Sequence, residues 1–331
     1  MPNLPKPRLR RASRTRVDGH SDPAAAEPNV EVVERDGLRW INIERPGPVD
    51  QAWLEEHFEF HPLDYEDVRS RNQRPKIDVY DDYLFAVLHF PVFDKQIGRL
   101  NTGELDIFVG PDFLITLPNV PLQPVEYLFE RCRSSEAVRE DLFCKGSGYL
   151  LYKVVDSAFD YCFPMLRKIG NKLDRLEEDI FEGRSQEVVR DISNAKQEII
   201  NFRKVIRPER SVLRDLERTK QRYIAEDLEI YFDDIIDASE RIWDMLENYK
   251  EVVEALEETN ESVISHRVNA SLRVLTAFSV VLLPLTLIAS VFGMNVRVPG
   301  QGTIHAFWII VGVMVITLVG CIALFRKRGW L

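Results

Sequence analysis

Phe292-Gly293-Met294-Asn295 lies between two long uncharged runs, and that placement decides how the chain is read. Between Arg273 and Arg297 there are 23 residues with no Asp, Glu, Lys or Arg, and between Arg297 and Arg326 there are 28. A helix of about 20 apolar residues crosses the hydrocarbon of a bilayer, so each run is long enough to span. The connection from Met294 to His305 is rich in Pro, Gly and polar residues. Irregular backbone cannot be solvated by lipid, which puts this turn at a membrane surface. The expected boundaries are 270–292 for the first span, 293–305 for the external loop, 306–325 for the second span and 326–331 for a basic tail. Arg326, Lys327 and Arg328 close the second span. By the positive-inside rule both termini then face the cytosol, as in a multi-pass protein of the inner (plasma) membrane.

Upstream of residue 270 the chain is soluble in character. Residues 1–17 carry Lys6, Arg8, Arg10, Arg11, Arg14 and Arg16 without an acid. No apolar stretch follows that would make a signal peptide, so residues 1–28 read as a disordered basic tail. Its charge would also suit anionic lipid at the cytoplasmic leaflet. Residues 29–146 read as a cytosolic α/β domain. Val30–Val33 and Leu38–Ile43 flank Asp36-Gly37, a hairpin signal. Asp50–Phe58 reads as a helix. Ile77–Tyr80, Tyr83–Phe90, Leu105–Val109 and Phe113–Leu117 read as strands, and helical patterns follow from 123 to 144.

Residues 147–269 have few glycines and apolar positions at steps of three and four. They read as long helices over 149–182, 186–219 and 222–268. The last has no stop signal before the first span, and a continuous helix over 222–292 would be about 105 Å long. It is expected to act as a stalk. Phe232, Ile235, Ile242, Leu246, Tyr249, Val253, Leu256 and Val263 form its apolar seam. Asp233, Asp237, Glu240, Asp244, Glu247, Glu251, Glu254, Glu258 and Glu261 recur one step round. A bundle of such helices would hold a negative potential and concentrate cations.

In the first span Asn269, Leu272, Thr276, Ser279, Leu283, Thr286 and Ser290 share one face at helical spacing, and hydroxyls among leucines suit a path that alternates wet and apolar levels. Each Ser or Thr also has a bland reading, a bond back to its own helix carbonyl. Two spans are too few to enclose an ion path, so a closed ring of identical subunits is expected.

The Phe-Gly-Met-Asn stretch at the end of a first span, the basic Phe325-Arg-Lys-Arg-Gly-Trp-Leu331 end, and the soluble block His61-Pro-Leu-Asp-Tyr-Glu-Asp-Val68 with Gln73-Arg-Pro-Lys76 resemble the CorA family of magnesium and divalent-cation channels. The resemblance runs from about residue 30 to the end. It implies an α+β cytosolic domain of α/β/α type, long stalk helices and two C-terminal transmembrane helices in a funnel-shaped homopentamer. It implies Mg²⁺ as both transported and regulatory ion, with Co²⁺ or Ni²⁺ as further cargo. Residue by residue, Gly293, Met294 and Asn295 would form the selectivity loop. Asn269, Leu272, Leu275, Leu283 and Thr286 match pore-lining or constricting positions, and Thr276 and Ser279 join them by spacing. Glu258 matches the cytosolic mouth, and Asp94 and Asp234 match a pair that binds regulatory magnesium. Leu272 stands where relatives have Met, and Glu258 where some have Asp.

The net charge of −10 argues against nucleic acid as a partner. The partners expected are further copies of this chain, membrane lipid and divalent cations. Cys132, Cys144, Cys162 and Cys321 show no paired spacing, and the six histidines form no cluster, so a dedicated zinc site is not expected. No phosphate loop, nucleophile elbow or HExxH motif is present, and no enzyme is expected. Two alternatives stay open. One is a zinc-transporting member of the same superfamily. The other is a two-span anchor for a cytosolic interaction module.

Overall fold

A computed structural model describes residues 27–70, 73–94, 98–182, 185–219, 228–294 and 304–328. The described residues form two compact units. One runs up to Tyr161 and takes in Val205–Glu240; the other comprises Cys162–Lys204 and the chain from Arg241 onward.

The first unit is built on a six-stranded sheet: β1 (Glu31–Arg35), β2 (Leu38–Asn42), β3 (Lys76–Val79), β4 (Leu84–Asp94), β5 (Arg99–Val109) and β6 (Phe113–Pro118). The spatial order is β1-β2-β6-β5-β4-β3, and only β2 and β6 pair in parallel. Asp36 and Gly37, both at positive φ, close the first hairpin, as their sequence predicts. The alternation of strand side chains sorts two cores. Phe85, Val87, Phe108, Phe113, Ile115 and Leu117 stand on one face, packed with Leu54, Phe60 and Val68 of the segment holding α1 (Pro48–His57) and α2 (Pro62–Ser70). On the opposite face Trp40 meets Phe129 of α3 (Gln123–Ser134), and Phe90 meets Phe159 of α5 (Gly146–Asp160). α4 (Glu136–Phe143) follows α3 directly. The unit is therefore a three-layer α/β/α sandwich, and it extends past residue 146 because α5 packs on the sheet.

Asp50 stabilises the start of α1 from its third position, not from the cap. Its carboxylate accepts the backbone N–H of Gly47 and of Asn29, each at 2.7 Å. The sequence does not mark α2, because its polarity runs against its burial: Leu63 is exposed and Asp64 is buried.

The structure corrects the single helix expected over 149–182. α5 stops at Asp160, Tyr161 is a turn, and α6 begins at Cys162 and runs to Glu182. Pro164 explains the break: it has no N–H to give the carbonyl of Asp160, and its ring would collide there. In the first turn of a new helix the missing donor costs nothing. Two longer helices follow, α7 (Ser185–Arg218) and α8 (Glu229–Phe292). Residues 222–227, expected to open the stalk helix, lie outside the described residues. α8 is 64 residues long, about 96 Å at 1.5 Å per residue. α9 (Ile304–Lys327) closes the described chain. α8 and α9 each contain a stretch long and apolar enough to cross a membrane, with mean hydropathies of 2.3 and 2.7.

Glu209 of α7 is buried in the first unit. One carboxylate oxygen accepts the N–H of His89 at 2.7 Å, while Oε2 is buried without a hydrogen-bond partner. Burial pushes this carboxyl well above the usual range. An acid whose folded pKa is raised stabilises fully below its unfolded pKa, and that contribution is lost as pH rises through the folded pKa. Glu209→Gln keeps the acceptor and the shape but cannot ionise. It should raise the thermal midpoint of the solubilised protein at about pH 8 and change it little near pH 4, as read by scanning calorimetry.

Candidate functional site: the α8 face, its acidic flank and the loop before α9

Every residue expected to line a path is exposed on α8 in the single chain. This holds for Asn269, Leu272, Leu275, Thr276, Ser279, Leu283 and Thr286, with Leu283 at 69% exposure. Ala277, Phe278, Val281 and Leu282 line a cavity of about 540 Å³ with Leu318, Ile322 and Arg326 of α9. Thr286 follows the buried Ala277 by nine residues, which at about 100° per residue places it half a turn round. The face of alternating hydroxyls and leucines thus points away from α9.

The hydroxyls of Thr276, Ser279 and Thr286 donate to the carbonyls of Leu272, Leu275 and Leu282 at 2.7, 3.0 and 2.8 Å. The bland reading of these residues describes their protons. Each hydroxyl oxygen keeps its lone pairs and can still accept from a water of a hydrated cation.

α8 ends at Phe292, and the N–H of Gly293 donates to the carbonyl of Ala289 at 2.9 Å. A Cβ at 293 would lie 2.9 Å from that same backbone oxygen, so the close turn requires glycine. Met294 is 55% exposed. Asn295 lies outside the described residues, as do residues 1–26 and 329–331.

The acidic face of α8 is less bare than its own sequence suggests. On α8 itself the bases along this face are few, Arg241 and Lys250, but α7 supplies more. Arg210 and Arg214 both bind Glu240, the latter at 2.6 Å, and their charge lowers the Glu240 carboxyl against its desolvation. Arg203 binds Glu247 and lies over the Trp243 ring at 4.9 Å. Lys196 of α7 binds Glu257 at 2.6 Å. Asp233, Asp237, Asp244, Glu251, Glu258 and Glu261 remain exposed. Of the expected seam, Phe232, Ile235, Ile242, Leu246, Val253 and Leu256 are buried, and Tyr249 and Val263 are half-buried.

Asp94 ends β4 and accepts from Asn101 Nδ2 at 3.5 Å. Asp234 is exposed on α8. Beside it stands a carboxylate that sequence reasoning missed. Asp156 of α5 is held above the usual range by burial first and then by the charges of Asp160 and Asp234, with Lys153 opposing. Nothing in the spacing of residues 156 and 234 pairs them; the packing of α5 against α8 does, through Tyr149, Tyr152, Tyr231 and Phe232.

The family model described as CorA-like Mg2+ transporter protein matches residues 35–327. The chain belongs to that family. As a CorA-family protein it is a divalent-cation transporter with two membrane helices. YfjQ of Bacillus subtilis is 30% identical, over 91% of this chain and 93% of its own. The cobalt/magnesium transport protein CorA of Thermotoga maritima is 29% identical over 88% of this chain and 83% of its own. Among solved structures, the complete CorA magnesium transporter of Methanocaldococcus jannaschii superposes with a TM-score of 0.80 at 21% identity, covering 91% of this chain and 94% of that one. The soluble α/β domain, the long helix and the two apolar C-terminal helices are therefore the CorA fold.

Asp234→Asn removes one negative neighbour from Asp156. The Asp156 midpoint should fall while staying above the ordinary aspartate range, because burial is the larger cause. Carboxylate ¹³C NMR titration of aspartate-labelled protein reads this shift.

Proposed function

We propose that the protein is a magnesium channel of the inner membrane, with both termini cytosolic. In it, copies of the chain gather their α8 helices around a common axis in a homopentamer. The observation that carries this reading is the exposed α8 face of Asn269, Leu272, Leu275, Thr276, Ser279, Leu283 and Thr286, turned away from α9. A polar stripe on a membrane helix belongs against protein or water, and one chain offers neither. A ring of α8 helices supplies both.

Gly293, Met294 and Asn295 then form the external entrance. A ring of neutral amide oxygens can hold a hydrated Mg²⁺ through its waters without trapping it, as conduction requires. Leu283, Leu275 and Leu272 close the path by dewetting, and Glu258 marks its cytosolic mouth. The same oxygen chemistry admits Co²⁺ or Ni²⁺. Hard oxygen donors favour Mg²⁺ over zinc.

Regulation rests on Asp94 and Asp234, now joined by Asp156. Cytosolic Mg²⁺ between subunits would neutralise these carboxylates and favour a symmetric closed ring. At low Mg²⁺ their repulsion favours opening.

Liposomes holding a Mg²⁺-sensitive dye test the pore. Wild-type protein should give uptake driven by an inward gradient, and Asn295→Ala should reduce it by roughly tenfold or more, because the ring of amide oxygens at the entrance is lost. Equal uptake by both would refute the reading. A second expectation concerns gating: Asp94→Lys with Asp234→Lys should abolish Mg²⁺-dependent protection from trypsin and leave current flowing at millimolar Mg²⁺.

A further inference from the structure

The block His61–Lys76 has no part in the pore or in the regulatory pair, yet it builds a second acidic centre. Asp64 and Asp67 lie one turn apart on α2, and Asp78 lies on β3. One carboxylate oxygen from each falls within 4.8 Å of the others. Two oxygens on opposite sides of a divalent ion, each 2.0–2.6 Å away, are about 4–5 Å apart, so the spacing suits one cation.

A buried group points to the same place. Asp106 of β5 and Lys76 of β3 are both registered opposite Val87 of β4, so their side chains stand on one face of the sheet, under α2. Asp106 is 3% exposed, and its Oδ1 is buried without a hydrogen-bond partner. Asp64, with no exposure, is held by two phenols, Tyr80 Oη donating to Oδ1 at 3.0 Å and Tyr83 Oη to Oδ2 at 2.6 Å. Such bonds fix the carboxylate in place while leaving further lone pairs on each oxygen.

One cation is already at hand. The Lys76 ammonium binds Asp67 at 2.6 Å and also Asp78. Asp64, Asp67, Asp78 and Asp106 face this one ammonium, and the buried Glu104 stands two residues from Asp106 on the same face of β5. A buried unpaired charge is costly and calls for a partner.

We propose that Asp64, Asp67 and Asp78, backed by Asp106, form a divalent-cation site on the α/β unit, with the Lys76 ammonium as its built-in competitor. The ion is of the oxygen-seeking class, Mg²⁺, Mn²⁺ or Ca²⁺. Binding swings the lysine out toward solvent, and its partly exposed stem permits this. A bound ion would tie α2 to β3 and β5 and make the packing of the α/β unit respond to ion concentration, independently of the pore.

The test uses the full-length protein in detergent, carrying Asp94→Asn and Asp234→Asn to silence the proposed regulatory pair. Mn²⁺ binding is counted by the loss of the free-ion electron paramagnetic resonance signal. In this background, adding Asp67→Asn with Asp78→Asn should remove one Mn²⁺ per chain. Adding Lys76→Met should tighten that ion by about tenfold, since the competing charge is gone. A purely structural ion pair predicts the reverse for Lys76→Met: no change in Mn²⁺ and a lower thermal midpoint. A readout without mutation guards against misfolding. Fe²⁺ with ascorbate and peroxide should cut wild-type backbone around residues 64–78, and Mg²⁺ should suppress the cut. Unchanged Mn²⁺ stoichiometry in the double Asn variant, or no Mg²⁺-suppressible cleavage around 64–78, overturns the proposal.

Discussion

Backbone amides and carbonyls have nothing to bond with in hydrocarbon, and that constraint governs the C-terminal part of this chain. The most apolar window of α8 is 6% buried and that of α9 is not buried at all. A helix satisfies its own backbone, so such surfaces are stable against lipid and unstable in water. The same constraint explains the interruption at Gly293. Once the helix stops, the freed groups must reach an interface, and the close Ala289–Gly293 turn stops it within one residue. It also gives meaning to the polar stripe on α8, which lipid would penalise and a shared water-filled axis would not.

Outside the lipid the dominant issue is the management of negative charge. α8 carries a long row of carboxylates, and α7 answers part of it with Arg203, Arg210, Arg214 and Lys196. The more exposed of these pairs, Arg214 with Glu240 and Lys196 with Glu257, add little stability. Their larger effect is to pattern the field, leaving Asp233, Asp237, Asp244, Glu251, Glu258 and Glu261 uncovered. The α/β unit handles its buried acids differently. Asp64 is clasped by two phenols, Asp50 by two amides, and Glu209 by one.

Much of this was legible in the chain itself. Uncharged runs of membrane length, the Asp36-Gly37 turn and the alternating strands carry their own signals, because each depends on neighbours a few residues away. The break at Tyr161 was also written locally, in Pro164, but an unbroken apolar period hid it. What stayed hidden was pairing at a distance. The bases facing α8 sit on α7, Asp156 meets Asp234 only through the tyrosine contacts of α5, and Asp106 looked like one polar residue in an apolar strand. In each case the partner lies dozens of residues off, and only folding sets the distance.

The boundaries of the first compact unit bear on how the protein is made. Its last segment ends at Glu240, whereas the first uncharged run begins after Arg273. Every strand and helix of the sandwich has therefore left the ribosome's decoding centre before any residue of that run is translated. Domains close as units, the N-terminal one first. The sheet can thus complete the pairing of β2 with β6 while the sequence destined for lipid is still unmade, which keeps the two kinds of apolar surface from meeting during synthesis.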